Sequence, residues 1–269
     1  MKETERKYVL ILSLPLFVLI LTSSLVGLIF SKIYDHSTPN WLVQTIGQDA
    51  IDLFIVLPVL MTSALYSFKK NRIAWSVWGG TLAYLAYTFV IYSFAVTFNS
   101  LFLIYCMVLG LTSYALAFFA YIQMQSIGSD RRSDKVTGWY FVVVSICFAL
   151  LWLSEIVPAT ISGTLPASLI KAGLSVNPIH VLDLAFFLPM VFITGIAILR
   201  NRRWPHLVTP SLLVFFILMD ITIGVLSLAM RKNDVGGSIQ VAIAMGVLAL
   251  ISLVLFVREN RPHPGNNPA

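Results

Sequence analysis

The residues DAIDLFIVLP (49–58) reappear in outline as HVLDLAFFLP (180–189), at an offset of 131 residues in a chain of 269. Each stretch carries an Asp at its fourth position and ends in Leu-Pro. The same offset places the basic cluster 69–72 onto the basic cluster 200–203. A similarity kept at one offset, close to half the chain length, indicates an internal repeat. Chance similarity between apolar segments is the alternative.

The repeat predicts an organisation into two halves. The first membrane repeat would cover 1–130 and the second 131–260, with a disordered tail over 261–269, which is rich in Pro, Gly and Asn. Pro58 and Pro189 fall inside apolar runs. Each removes a backbone hydrogen bond, so we expect both to disturb their helices.

The composition places the whole chain in a membrane. Hydrophobic residues make up 58% of it, charged residues 11%, and the mean hydropathy is +0.86. Soluble domains average about 45–50% apolar and about 25% charged residues. These values exclude a soluble domain, a disordered chain and a nucleic-acid-binding protein. The lipid bilayer is therefore the first predicted partner, and nucleic acid is not expected to be one.

Eight apolar runs are long enough to cross a bilayer, which takes about 20 residues. They are 8–30, 49–68, 74–97, 101–124, 138–157, 180–199, 207–230 and 237–257. The sequence therefore predicts an all-α polytopic membrane bundle of eight transmembrane helices. Runs 2 and 6 cross in the same direction, so the two four-helix repeats would be parallel.

The basic residues predict the orientation. Fourteen of the eighteen Lys and Arg residues fall in the two tails and in the 2–3, 4–5 and 6–7 connections. Basic residues accumulate on the cytoplasmic side of membrane proteins. We therefore expect both termini in the cytoplasm. On the other side, the connections 31–48 and 158–179 are long enough to hold short surface helices, with Thr38 capping the first.

Several polar residues are predicted at one level, the outer ends of the helices. These residues are Asp49, Asp52, Asn99, Glu155, His180 and Asp183. Residues three apart share a helix face, so Asp49 and Asp52 point one way, as do His180 and Asp183. If the repeats face each other, these pairs converge. The set predicts an outward-facing polar site for a ligand.

A divalent metal is one ligand that such a site would take. Asp52, His180 and Asp183 are the predicted metal ligands, since carboxylate and imidazole groups bind divalent cations. The same side chains also fit a cationic or hydroxylated solute, or an acid–base pair. Helix capping is the plain structural alternative, above all for Asp49.

Asp220 lies near the middle of run 7 and joins the predicted ligand-binding set. An ionised Asp there costs about 2.5–3.5 kcal/mol, so it should be paired, protonated or turned towards the bundle interior. Thr222, Tyr84, Tyr87 and Tyr92 are the predicted partners. A proton or cation relay and a neutral hydrogen bond between helices are both consistent with this position.

Motifs for other cofactors are absent from the sequence. None of the four histidines lies in the middle of a run, so haem is not expected, and no nucleotide-binding motif occurs. Small residues such as Gly79, Gly80 and Gly110 predict close helix contacts.

Four short segments of the chain are similar to segments of other proteins. They are GQD (47–49), YxxY (84–87), FNxLFLxY (98–105) and NPxHVLDL (177–184). In these segments the chain resembles a group of uncharacterised bacterial multi-pass integral membrane proteins, over most of runs 2 to 6. The resemblance implies a place in the bacterial cytoplasmic membrane and assigns no catalytic residues.

The polar cluster favours a transporter-like protein that binds a small solute or cation. A membrane-embedded enzyme, with an extracytoplasmic metal or acid–base site, is the alternative from another class. A non-catalytic membrane subunit is the third.

Overall fold

The computed structural model describes residues 3–69, 71–125 and 133–261. Side chains are described from residue 7 onwards. Apart from Arg261, the predicted disordered tail 261–269 lies outside the described residues. Throughout the described ranges the regular structure is helical, without a strand.

Eight helices in the described residues are long and apolar enough to cross a membrane. We number them as spans: Lys7–Ile29 (span 1), Pro39–Phe68 (span 2), Arg72–Ala95 (span 3), Phe102–Met124 (span 4), Lys135–Ser162 (span 5), Pro178–Leu199 (span 6), Pro205–Lys232 (span 7) and Ile239–Glu259 (span 8). The helix of span 1 itself begins at Glu3. The predicted all-α, multi-pass architecture is therefore confirmed.

Span 2 is longer than the sequence predicts. Thr38 caps it as expected, since its hydroxyl accepts a hydrogen bond from the backbone N–H of Trp41, and Pro39 takes the first helical position. The helix then continues without interruption, so Thr38 caps span 2 itself rather than a separate surface helix. The connection before it contains the short 3₁₀ helix Ser31–Tyr34. The prediction that Asp49 and Asp52 lie in the first turn of span 2 is wrong, because that helix begins at Pro39. The connection between spans 5 and 6 does contain a short helix, Ala167–Ala172.

Spans 2 and 6 share a matched irregularity. Each contains one wider turn of π-helix, Asp52–Val56 in span 2 and Asp183–Phe187 in span 6, directly before its Leu-Pro pair. In each turn the N–H of the Leu bonds the carbonyl oxygen of the Asp five residues earlier. The following proline lacks an N–H, and its ring crowds the carbonyl four residues back, which an extra residue in the turn relieves. The offset of 131 residues thus holds for backbone geometry as well as for sequence.

Contacts between connections define the two ends of the bundle. At one end, which we call the termini end, Arg258 forms an ion pair with Asp134. At the opposite end, Asn40 donates to the carbonyl oxygen of Val235 at 2.7 Å. The connections 31–38, 96–101, 163–177 and 233–238 all belong to this opposite end.

The two halves of the bundle are packed differently. In the first half, spans 1, 2, 3 and 4 close into a ring, because span 4 packs back against span 1. In the second half, span 5 packs against span 6 and span 7 against span 8. Spans 3 and 7 join the halves at the centre, and span 2 also packs against span 7. A parallel repeat would make spans 3 and 7 equivalent, and the complete repeat stays a prediction.

Two of the three singled-out glycines make close helix contacts. A Cβ at Gly79 would lie 2.4 Å from the ring of Phe119 on span 4. A Cβ at Gly80 would lie 2.5 Å from the carbonyl oxygen of Ser211 on span 7. Gly110 differs from the prediction, since nothing lies within 4 Å of the Cβ position there.

Candidate functional site

Three buried carboxyl groups lie at the same depth in the bundle. Asp52 and Asp183 each stand sixteen residues before the termini end of their helices, and Asp220 stands fifteen residues into span 7 from that end. At 1.5 Å per residue, all three lie about 22–24 Å along their helices. Asp220 is therefore level with Asp52 and Asp183 rather than deeper than they are, and the outward-facing placement of the site stays a prediction.

A cavity of about 350 Å³ lies between spans 2, 3, 5, 6, 7 and 8. Its wall is mainly apolar, with Phe148, Trp152, Phe187, Phe215 and Phe216 supplying aromatic rings. The polar lining comes chiefly from Gln44, Gln48, Asp183, Asp220 and Thr222. Within the described part of the chain, two carboxyl groups and no Lys, Arg or His line this space.

Asp183 is held by donors from two other spans. Its Oδ1 accepts a hydrogen bond from the Tyr87 hydroxyl of span 3 at 2.9 Å. Its Oδ2 accepts one from the Trp152 indole N–H of span 5 at 2.7 Å. Hydrogen bonds of this kind stabilise the ionised carboxylate. Asp183 is therefore held in a fixed orientation at the cavity wall.

Asp220 is the unsatisfied acid of the cavity. Its side chain is 3% exposed, and its Oδ2 has no hydrogen-bond partner among the described residues. Tyr84, Tyr87 and Tyr92, the predicted partners, donate to other acceptors. A buried carboxyl without a partner is costly, so this position calls for a ligand or a proton.

Asp52 lies just outside the cavity wall, behind Gln48. The Gln48 amide donates at 2.9 Å to Asp52 Oδ1 and at 2.8 Å to the Tyr84 hydroxyl. The Tyr84 hydroxyl lies 2.8 Å from the Thr222 hydroxyl. The Thr222 hydroxyl donates its proton to the carbonyl oxygen of Leu218, so the bond between the two hydroxyls takes the Tyr84 proton. Spans 2, 3 and 7 are thus joined by one directed series of hydrogen bonds.

Asp49 belongs to a separate cluster between spans 1, 2, 3 and 4. Its two oxygens accept from Tyr34 at 2.9 Å and from Tyr92 at 2.8 Å, and the Tyr34 hydroxyl lies 3.3 Å from that of Tyr105. Burial raises the pKa of the Tyr34 hydroxyl, and the Asp49 carboxylate raises it further, so this phenol stays protonated as a donor. Asp49 is neither a helix cap nor part of the cavity lining.

The remaining predicted site residues lie nearer the opposite end. His180 packs against Trp152 with ring centroids 4.7 Å apart. Glu155 accepts a hydrogen bond from the Ser168 backbone at 2.8 Å, and Asn99 accepts one from the Leu101 backbone at 2.8 Å. Glu155 therefore holds the short connecting helix, and Asn99 shapes the turn between spans 3 and 4.

The structure does not assemble the predicted metal site. Asp183 uses both oxygens for Tyr87 and Trp152. Asp52 lies on span 2 and accepts a hydrogen bond from Gln48 of the same helix. Across the described residues, no three His, Cys, Asp or Glu side chains form a group that could hold a metal ion. Of the predicted ligand-binding residues, Asp183 and Asp220 are brought together by one cavity, with Asp52 behind its wall.

Several side chains of the site were not predicted from the sequence. Gln44 and Gln48 escaped because span 2 was expected to begin after them. Trp152 carries no signal beyond its position in an apolar run, and only the fold shows that its N–H reaches Asp183. Tyr87 was identified in the sequence, but with Asp220 as its partner.

In the described residues, fold and cavity together define a multi-pass bundle of eight helices suited to a membrane, with an internal cavity lined by two carboxyl groups. Comparison with known protein families, curated proteins and solved structures finds no match to this chain.

Proposed function

We propose that this chain is a transporter-like membrane protein whose cavity binds a small, largely apolar organic cation. One observation carries the proposal: in the described residues, the cavity is lined by Asp183 and Asp220 and by no basic side chain. A cation bound there would pair with Asp183 and would replace the proton of Asp220, in a cavity where no basic side chain of the described residues competes for either acid. An anion would meet only repulsion.

The apolar wall narrows the class of cation. Small inorganic ions need several oxygen ligands, whereas this cavity offers mostly rings and methyl groups. Quaternary ammonium groups bind well against aromatic faces, and Trp152, Phe187 and Phe215 line the space beside Asp183. The volume of about 350 Å³ falls at the lower end of the range for small-molecule sites. A quaternary amine with one aromatic or short aliphatic substituent fits this chemistry.

The test uses a pair of probes that differ only in charge. Benzyltrimethylammonium and neopentylbenzene have the same shape, with nitrogen in the first replaced by carbon in the second. We expect titration calorimetry on the full chain in lipid nanodiscs to show at least tenfold tighter binding of the cation. Equal binding of both probes would contradict the proposal.

Substitution of the two acidic residues tests whether their carboxyl groups bind the cation. Asp183→Asn and Asp220→Asn keep the shape of the side chain and remove its charge, so each should weaken binding of the cation about tenfold, or about 1.4 kcal/mol. Glu259→Gln is the matched control, because Glu259 is a buried acid bonded to Thr137 at the termini end, away from the cavity. Equal losses in all three variants would show that the charges act on folding rather than on the ligand.

Movement of the solute needs its own measurement. Radiolabelled benzyltrimethylammonium should accumulate in proteoliposomes that contain the full chain and not in those with Asp220→Asn. Binding without uptake would mean that the protein binds the solute but does not transport it. Chemical conversion of the probe would favour the alternative function, a membrane-embedded enzyme.

A further inference from the structure

On one side of the cavity, the two helices that line it do not pack closely against each other. Spans 5 and 6 pack together, as do spans 7 and 8, and all four contribute to its lining. Within the described residues, spans 5 and 8 are not one of the closely packed helix pairs. Spans 1 and 4, which occupy the corresponding places in the first half, are such a pair. The side between spans 5 and 8 is therefore the open side of the cavity.

The hydrogen bonds between spans 5 and 8 are confined to the termini half of the bundle. Tyr140 and Ser252 lie 2.7 Å apart, and Thr137 donates to Glu259 at 2.8 Å. Both bonds are well beyond Trp152 in the direction of the termini end. No hydrogen bond of the described residues joins these spans on the other side of Tyr140. The opening therefore lies in the membrane half away from the termini.

Residues at the edge of the cavity are open to the surroundings. Val241, near the start of span 8, lines the cavity and is 41% exposed. Trp152 faces it from span 5 and is half-buried, although its N–H is bonded to Asp183. The gap between spans 5 and 8 thus gives a route, lined by Val241 and Trp152, from the cavity to the outer surface of the bundle.

We propose that the substrate is a single-chain cationic amphiphile, which enters the cavity from the bilayer between spans 5 and 8. Its ammonium group lies between Asp183 and Asp220, and its alkyl chain extends through the opening into the lipid. This inference rests on the proposed function for the head group. It adds the route of entry and the class of tail.

The length of the ligand's alkyl chain tests whether the cavity is open between spans 5 and 8. In a closed cavity, a chain longer than the space would be rejected, because overpacking is unfavourable. In an open one, the methylene groups beyond the cavity simply remain in lipid and neither add nor subtract affinity. Alkyltrimethylammonium ions with butyl, octyl and hexadecyl chains should therefore displace radiolabelled benzyltrimethylammonium from nanodiscs without a cut-off, when affinity is referred to their concentration in the bilayer.

A bulky residue at the opening should affect binding of the alkyl tail but not binding of the ammonium group. Ala244 is exposed and lies three residues after Val241 on the same side of span 8, outside the cavity lining. Ala244→Trp should weaken hexadecyltrimethylammonium about tenfold and leave benzyltrimethylammonium unchanged. Ile243→Trp is the control, because Ile243 is 60% exposed on the other side of the helix.

The outcomes distinguish this inference from the proposed function. If benzyltrimethylammonium does not bind, the proposed function fails. If it binds while the hexadecyl ion is rejected, the lateral opening alone is overturned. Equal effects of Ala244→Trp and Ile243→Trp on the hexadecyl ion would also overturn it.

Discussion

The carboxylate of Asp49 shows how phenol hydroxyls satisfy a buried acid inside the bundle. Two phenol hydroxyls, from Tyr34 and Tyr92, donate to its oxygens, and its side chain is 1% exposed. Asp220, at 3% exposed, lacks such a donor at its Oδ2 among the described residues. The contrast separates an acid that holds helices together from one that is left for a ligand.

Tyr92→Phe should destabilise the protein without affecting the cavity. The substitution removes one donor from Asp49 and leaves a buried acceptor oxygen unpaired, which costs about 1–3 kcal/mol. We expect a lower midpoint in thermal unfolding of the solubilised protein and unchanged affinity for benzyltrimethylammonium. Tyr114→Phe is the control, since Tyr114 is exposed on span 4. Unfolding midpoints that match in the two variants would contradict this role of Tyr92.

The sequence identified the buried acidic residues of the site but not the side chains that bond to them. Asp52, Asp183 and Asp220 were identified because an acid in an apolar run must be satisfied internally. Their partners depend on how each helix is rotated about its axis, and a nearly uniform apolar pattern contains little information on rotation. Trp152 and Tyr87 meet at Asp183 only because spans 3, 5 and 6 present these faces to each other.

Among the helices, the close approach of spans 1 and 2 depends on the absence of a side chain. A Cβ at Gly27 would lie 1.9 Å from Asp49 Oδ2 and 2.6 Å from the Tyr34 hydroxyl oxygen. Neither group can retreat without losing its hydrogen bond. The glycine is therefore part of the Asp49 cluster although it contributes no polar group.

Gly27→Ala should lower stability by about 1–3 kcal/mol through this overpacking. Gly110→Ala provides a matched control, because it is also a glycine inside a span and nothing lies within 4 Å of its Cβ position. Thermal unfolding of both variants beside the unmodified protein measures the difference. If the alanine were tolerated equally at both positions, the packing of span 1 on Asp49 would be incorrect.

The π turn of span 6 sets the direction in which Asp183 points. It lies directly before Leu188 and Pro189, and the disturbance expected at that proline takes the form of this wider turn. The sequence predicted the disturbance from the Leu-Pro pair, while the start of span 2 at Pro39 was missed because 39–48 is less apolar than the rest of that helix.

Pro189→Ala restores an N–H and lets the wider turn relax towards regular α-helix. An α-helical turn would rotate Asp183 away from Tyr87 and Trp152, so we expect affinity for benzyltrimethylammonium to fall about tenfold. Pro15→Ala, in span 1, is the control for replacing a proline within a helix. Unchanged affinity in Pro189→Ala, in a folded protein, would contradict the link between the π turn and the site.

At the scale of the whole molecule, the difference between the halves is what creates the site. Spans 1 to 4 close on themselves and fill their interior, for instance with the stacked rings of Trp75 and Trp78 against Phe119. Spans 5 to 8 do not close, and the cavity occupies the space. Two halves that begin from similar sequences would thus serve different purposes, one as a packed support and the other as a binding chamber.

The orientation of the bundle decides which leaflet the opening faces. The excess of basic residues at the termini end predicts that this end is cytoplasmic. We expect His36→Cys, in a chain whose Cys106 and Cys147 are replaced by Ser, to react with a membrane-impermeant maleimide on intact cells. Arg202→Cys should react only after permeabilisation; both positions are exposed, at opposite ends of the bundle. The reverse pattern would contradict the predicted topology and turn the opening to the cytoplasmic leaflet. A cationic amphiphile would then enter from the inside of the cell, and uptake in proteoliposomes would have to be measured from that face.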